Sequence, residues 1–127
     1  MIRTRQCTNE LARALADALG DAAVVVTSVE EATGHVLAGA TTVVLAPPKI
    51  TSDTGVAYAL EWQVPIVGAP VADPDAAWDA LDRALSAIDP FVEWERADPI
   101  TWTGAQTAAA PAYLLTITRT VPKGDPQ

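Results

Sequence analysis

The alternation of apolar and polar positions is strongest in the middle of the chain. Val56, Tyr58, Leu60, Trp62, Val64 and Ile66 occupy every second position, with Ala57, Ala59, Glu61, Gln63 and Pro65 between them. A period of two marks a half-buried strand, because successive side chains point to opposite faces. A helix would scatter these six large side chains around its whole circumference. Pro65 cannot donate a ladder hydrogen bond, so this end of the strand is expected at an edge or a bulge. Leu11, Leu15, Ala18 and Leu19 fall instead at i, i+4, i+7 and i+8. That spacing predicts a helix over Asn9–Leu19, with Thr8 or Asn9 capping its start and Gly20 its end.

The remaining elements follow from local signals. The β-branched run Ala22–Thr27 predicts a buried strand. Ser28 and Glu31 are spaced as a capping box and predict a short helix, kept short by Gly34 and Gly39. Thr41–Ala46 predicts a second strand, ended by Pro47 and Pro48. The segment Lys49–Gly55 reads as a loop. Asp73-Pro74 opens the best-defined helix, with Asp as N-cap and Pro at its first position. Trp78, Leu81, Leu85 and Ile88 form its expected buried stripe, and Pro90 stops it. Phe91–Glu95 and Ile100–Thr103 are short strand candidates, Gly104–Pro111 a loop, and Tyr113–Thr120 a final strand, with a frayed tail over 122–127.

A coarse reading of this order gives alternating strands and helices, hence a parallel doubly wound sheet. The strand over 56–66 replaces the second crossover helix that such a sheet would need. The predicted fold is therefore α+β: a single domain whose mostly antiparallel sheet is flanked by an N-terminal helix and a long central helix at about 73–89.

Composition narrows the function classes. The chain has 127 residues, half of them apolar, which fits one domain with its own core. Sixteen acids against eight bases give a net charge of −8. That balance disfavours a duplex nucleic-acid binder, whose affinity comes from Lys and Arg neutralising phosphates. It equally disfavours an anionic membrane surface. Between Ala14 and Asp82 the only Lys or Arg is Lys49. An acidic surface keeps a protein soluble, and it also repels DNA that passes close by. The lone Cys7 allows no internal disulfide, which fits a reducing compartment or a virion. The first ten residues lack the apolar stretch of a secretory leader. No apolar run approaches the roughly 20 residues of a membrane helix.

No catalytic or metal-binding constellation is legible. A nucleophile needs a base and an orienting group, and His35 is the only histidine. One His and one Cys make no ordinary zinc site. The carboxylate pairs Glu30/Glu31, Asp73/Asp75 and Glu93/Glu95 have simpler accounts as a capping box, a helix start and the polar face of a strand. The stretch Gly34–Gly39 lacks the Lys-Ser/Thr ending of a phosphate loop. No enzyme activity and no cofactor are expected. Trp62 and Trp78 sit on patterned faces and are expected in the core. Trp94 and Trp102 are expected either in the core or as anchors at a subunit interface, where Trp is enriched.

Several segments together carry a family resemblance. They are the strand Thr42-Val43-Val44-Leu45-Ala46-Pro47-Pro48, the alternating strand ending in Val64-Pro65-Ile66-Val67, and the helix from Asp73 to Asp89. Phe91–Trp94 and the closing Pro-Ala-Tyr-Leu-Leu-Thr-Ile-Thr of residues 111–118 complete the set. The order resembles the tail terminator proteins of long-tailed, siphovirus-type bacteriophages, especially those infecting actinobacteria. The likeness covers about residues 9–120 and is a pattern of elements rather than a diagnostic motif; Ala22–Gly39 matches it least. The resemblance implies a homo-oligomeric ring, a hexamer, that caps the tail tube, ends its polymerisation and joins it to the head connector. DNA would only pass through the lumen. The partners implied are the tail tube protein and the head–tail connector or stopper protein, with no membrane. The place implied is the virion tail or neck, and the host cytoplasm during assembly.

Candidate contact residues under this reading are Lys49, Ile50, Thr51, Ser52, Asp53 and Thr54, with Trp94 and Trp102. The alternatives are another neck or head–tail joining protein of a phage, a small α/β ligand-binding or regulatory domain, and a hydrolase with a carboxylate site.

Overall fold

The computed structural model describes residues 3–52, 55–103 and 109–123. Helix α1 spans Thr4–Leu19, with Arg3 at the N-cap and no side-chain cap bond. Thr8 and Asn9 therefore lie inside the helix and do not cap it. The apolar stripe explains the earlier start: Cys7 stands one turn before Leu11 and packs against the same core as Leu11, Leu15 and Leu19. Gly20 ends the helix at φ 54°, donating its N–H to Ala16 O at 3.0 Å.

Strand β1 (Val24–Val26), helix α2 (Val29–Leu37) and strand β2 (Thr42–Val44) form a parallel β–α–β unit. Both strands are shorter than the sequence suggested. Ser28 Oγ accepts the Glu31 N–H at 3.1 Å, and its hydroxyl donates to Glu31 Oε1 at 3.2 Å. Gly34 is carried inside α2 without ending it, and Gly39 follows the helix at φ 88°.

The segment after Pro48 is not a plain loop. Lys49–Ser52 forms strand β3, antiparallel to the start of β4 (Ala57–Val67). Helix α3 spans Pro74–Ile88, with the Asp73 side chain accepting the Ala76 N–H at 3.2 Å. Phe91–Glu95 is turn, not strand: Phe91 and Val92 both donate back to Ile88 O, so the chain is still unwinding from the helix there. Strand β5 covers Arg96–Trp102, and β6 covers Ala110–Pro122, taking in Pro111, which was expected in a loop. Residues 104–108 of that expected loop, and 124–127 of the expected frayed tail, lie outside the described residues.

The strand order is β1-β2-β4-β6-β5, with β3 beside β2 on the same flank of β4. Only β1–β2 is parallel, so the sheet is mostly antiparallel and the fold is α+β. Helices α1 and α3 cover one face, over Val43, Leu45, Leu60, Trp62, Val64, Ile66, Leu115 and Ile117. Helix α2 covers part of the other, over Val26, Val44 and Val67.

Pro65 lies within the central strand, not at an edge of the sheet, and its register with β6 is continuous. Gly68 donates to Pro111 O at 2.8 Å. By the alternation of an antiparallel ladder, Pro65 then turns its backbone nitrogen away from β6. On that side the pairing with β2 stops at Val43 opposite Ile66, and the pairing with β3 starts at Lys49 opposite Glu61. The missing N–H falls in the gap between them.

Candidate assembly surface

The central strands continue past the helices. Along one face of β4, exposure rises in the order Leu60, Tyr58, Val56: buried, half-buried and 72% exposed. Residues 57–61 of β4 pair with residues 118–122 of β6 on one side, and residues 58–61 pair with β3 on the other. This three-stranded arm extends beyond the cover of α1 and α3. All four residues of β3 are exposed, including Ile50 at 45%. Lys123 ties the arm together. Its N–H donates to Val56 O at 2.6 Å, its ammonium stands 4.7 Å from the Tyr58 ring centroid, and it hydrogen-bonds Ser52 Oγ.

A free strand edge is a template for pairing, and native proteins blunt edges they do not use. Among the described residues the sheet has three outer edges. β1 is only three residues long. β5 carries Pro99 and an Arg96–Asp98 ion pair at 3.0 Å. β3 has neither device; Lys49 alone guards it. Lys49, Ile50, Thr51 and Ser52 thus come together as an open edge, while Asp53 and Thr54 lie outside the described residues.

The tryptophans distribute differently from the expectation. Trp62 is buried in the main core, and its indole N–H reaches Thr8 Oγ1. Trp102 is 8% exposed, packed with Ala110 and Ala112, so it has little surface to offer a partner. Trp94 is half-buried on the main core and donates to Asp89 Oδ1 at 3.2 Å. Trp78 overturns its assignment: it is 60% exposed. The face of α3 that meets the sheet is made by Ala77, Ala80, Leu81, Ala84 and Ile88, with Leu85 half-buried. The helix sits too close to the sheet for a Trp. A Cβ placed on Gly68 would come within 2.8 Å of Ala77 O.

Sequence reasoning missed Trp78 as a surface residue, although Asp75, Asp79 and Asp82 around it on the helix were the available signal. These four residues form one exposed, acid-rimmed aromatic patch. The sheet face away from α1 and α3 carries a short polar row beside half-buried Pro65 and Leu114. Gln63 donates to Glu61 Oε2 at 2.9 Å, and Thr116 donates to Gln63 Oε1 at 3.3 Å.

His35 lies in the last turn of α2, and Cys7 is half-buried against the core. Glu30 and Glu31 start α2, Asp73 and Asp75 start α3, and Glu93 and Glu95 lie on the turn before β5. Among the described residues no three His, Cys, Asp or Glu side chains are grouped to hold a metal ion. No helix in the described residues is long and apolar enough to cross a membrane. A shallow groove between α1 and the ends of β1 and β2 is lined by Arg5, Thr8, Asn9, Thr27, Leu45 and Pro47. Set against known proteins, the chain matches no protein-family model and no curated sequence.

Proposed function

We propose that this chain is the ring-forming subunit that terminates a bacteriophage tail tube. Six copies would close a ring on the tube end, stop further polymerisation and present a surface to the head–tail connector. The observation that carries the reading is the three-stranded arm with the open β3 edge. A small domain that works alone has little use for a strand held clear of its core and guarded by a single lysine, whereas a ring subunit needs a surface of this kind for a neighbour or for the tube. The net charge of −8 adds support, since an acidic lumen lets DNA pass without holding it. The place of action in this reading is the virion neck, reached from the host cytoplasm during assembly.

Light scattering at two protein and two salt concentrations, with electron micrographs of the same samples, tests it. The expected particle is a six-subunit ring with a central hole, or a monomer that binds specifically to the ends of purified tail tubes. A chain that stays monomeric at about 1 mM and ignores tube ends would overturn the proposal.

A further inference from the structure

The charges of this acidic chain are segregated. Segments 3–5, 49–61 and 118–123 hold Arg3, Arg5, Lys49, Arg119 and Lys123 against Asp53 and Glu61, a net of +3. Apart from residues 53 and 54, which lie outside the described residues, these segments are the start of α1 and the arm. The rest of the chain holds Arg13, Arg83 and Arg96 against fourteen acids, a net of −11, and the two parts make up the −8 of the whole. The acids are densest from residue 73 to 82, where Asp73, Asp75, Asp79 and Asp82 are followed by a single base, Arg83.

The two zones stand at opposite ends of the long strand β4. The basic zone is fixed at its start, where β3 pairs with Tyr58–Glu61. The acidic zone is fixed just past its end, where Gly68 lies under Ala77 and Leu81 of α3. Seven residues of extended chain separate Glu61 from Gly68, roughly 23 Å. Each zone has an exposed apolar centre inside a rim of one sign. In the arm, exposed Ile50 and Val56 and half-buried Tyr58 share one face with Arg119 and Lys123, while Lys49 stands on the other face, across from Glu61. On α3, Trp78 lies among Asp75, Asp79 and Asp82.

Apolar centres with charged rims of opposite sign are the anatomy of a protein–protein contact. Their separation keeps them from meeting within one protomer. We infer that the arm of one copy docks on the first half of α3 of the next copy, with Trp78 as the anchor. The contact is head-to-tail, so every copy uses both patches and a closed rotation gives a ring. This inference rests on the ring reading above and assigns its interface. Trp, rich in contact area, supplies most of the affinity, while the charged rims set the register and the on-rate.

Two full-length variants test it. The arm variant carries Lys49→Glu and Ile50→Glu; the helix variant carries Trp78→Ser and Asp79→Ser, so the two altered patches do not attract each other. Circular dichroism checks that both fold. Each is expected to weaken association by roughly 30-fold or more, leaving monomers where wild type forms rings. Mixed together, they have one intact pair of patches between them and are expected to stop at a dimer. As a second readout, Thr51→Cys with Asp79→Cys in a Cys7→Ser background, which keeps Ile50 and the Trp78 anchor, should give, with a short bismaleimide linker, a covalent ladder ending at the ring size. The single-cysteine chains should not. If the helix variant still forms rings, or the ladder is absent while rings are present, the α3 docking is wrong and the ring reading stands. If wild type forms no rings and the double-cysteine chain yields no ladder at about 1 mM, the docking is also overturned. Binding to tube ends then decides the ring reading separately.

Discussion

The Trp62 indole N–H donates to Thr8 Oγ1 at 3.1 Å, joining the middle of the central strand to the first half of the N-terminal helix across 54 positions of sequence. Trp62 is otherwise enclosed, so the bond satisfies a donor with no access to bulk water. Thr8→Val keeps the shape and removes the acceptor. It is expected to cost about 1–2 kcal/mol, because the buried N–H is left unpaired. Thr8→Ser, which keeps the hydroxyl, should cost less. Urea unfolding of the two variants measures the difference, and equal losses would show that the contact is only steric.

Two glycines should respond to alanine with opposite signs. At Gly68 the added Cβ would meet Ala77 O at 2.8 Å and Leu81 Cγ at 3.0 Å. Gly68→Ala is therefore expected to destabilise by about 1–3 kcal/mol, since a backbone atom must move. Gly34 lies inside α2 with open space around its Cβ position. There alanine restricts the unfolded chain and favours the helix, a gain of about 0.5–1 kcal/mol. Thermal melts of both variants would read the opposite shifts directly.

The start of α3 depends on one side chain. Asp73 Oδ1 accepts the Ala76 N–H, so Asp73→Ala should lose about 1 kcal/mol, while Asp73→Asn keeps an acceptor and should stay within a few tenths. A loss of the same size in both variants would move the effect from the hydrogen bond to the charge at the helix N-terminus.

Trp78 gives an optical signature. An exposed indole among three carboxylates should emit to the red, be quenched well by neutral acrylamide, and be quenched poorly by iodide, which the acids repel. Trp78→Phe should remove that component and change stability by no more than about 0.5 kcal/mol. A blue-shifted, shielded Trp78 in the isolated monomer would contradict the placement of its side chain.

What the sequence could and could not reveal divides along the range of the forces involved. The alternation of Val56 to Ile66 was legible because one face of β4 is buried, and burial leaves a period of two in the residues themselves. The caps at Ser28 and Asp73 were legible because each is complete within four residues. The stripe on α3 was misread because size was taken as the mark of burial. Trp78, Leu81, Leu85 and Ile88 are the large residues, but the sheet side admits mainly Ala77, Ala80, Leu81, Ala84 and Ile88. That preference is imposed by the closeness of Gly68, which no local pattern records. Strand β3 left no trace in Lys-Ile-Thr-Ser because it buries neither face; its pairing with β4 is a matter of backbone register alone. For the same reason the contact segment was expected as a loop, although Lys49 to Ser52 were singled out. The pairing of a basic arm with an acidic helix could not be read at all until the fold placed the two at opposite ends of one strand.

The eleven-pair ladder between β4 and β6 has a consequence for the order of events in the cell. The arm needs Thr118 to Pro122 as its third strand and Lys123 as its clasp, and these reach β4 from more than fifty positions further along the chain. During synthesis, β3 and β4 leave the ribosome long before that partner exists. Pairing so distant in sequence is also slow to form. The surface proposed to bind a neighbour is thus built last, which delays association between nascent chains until each has folded.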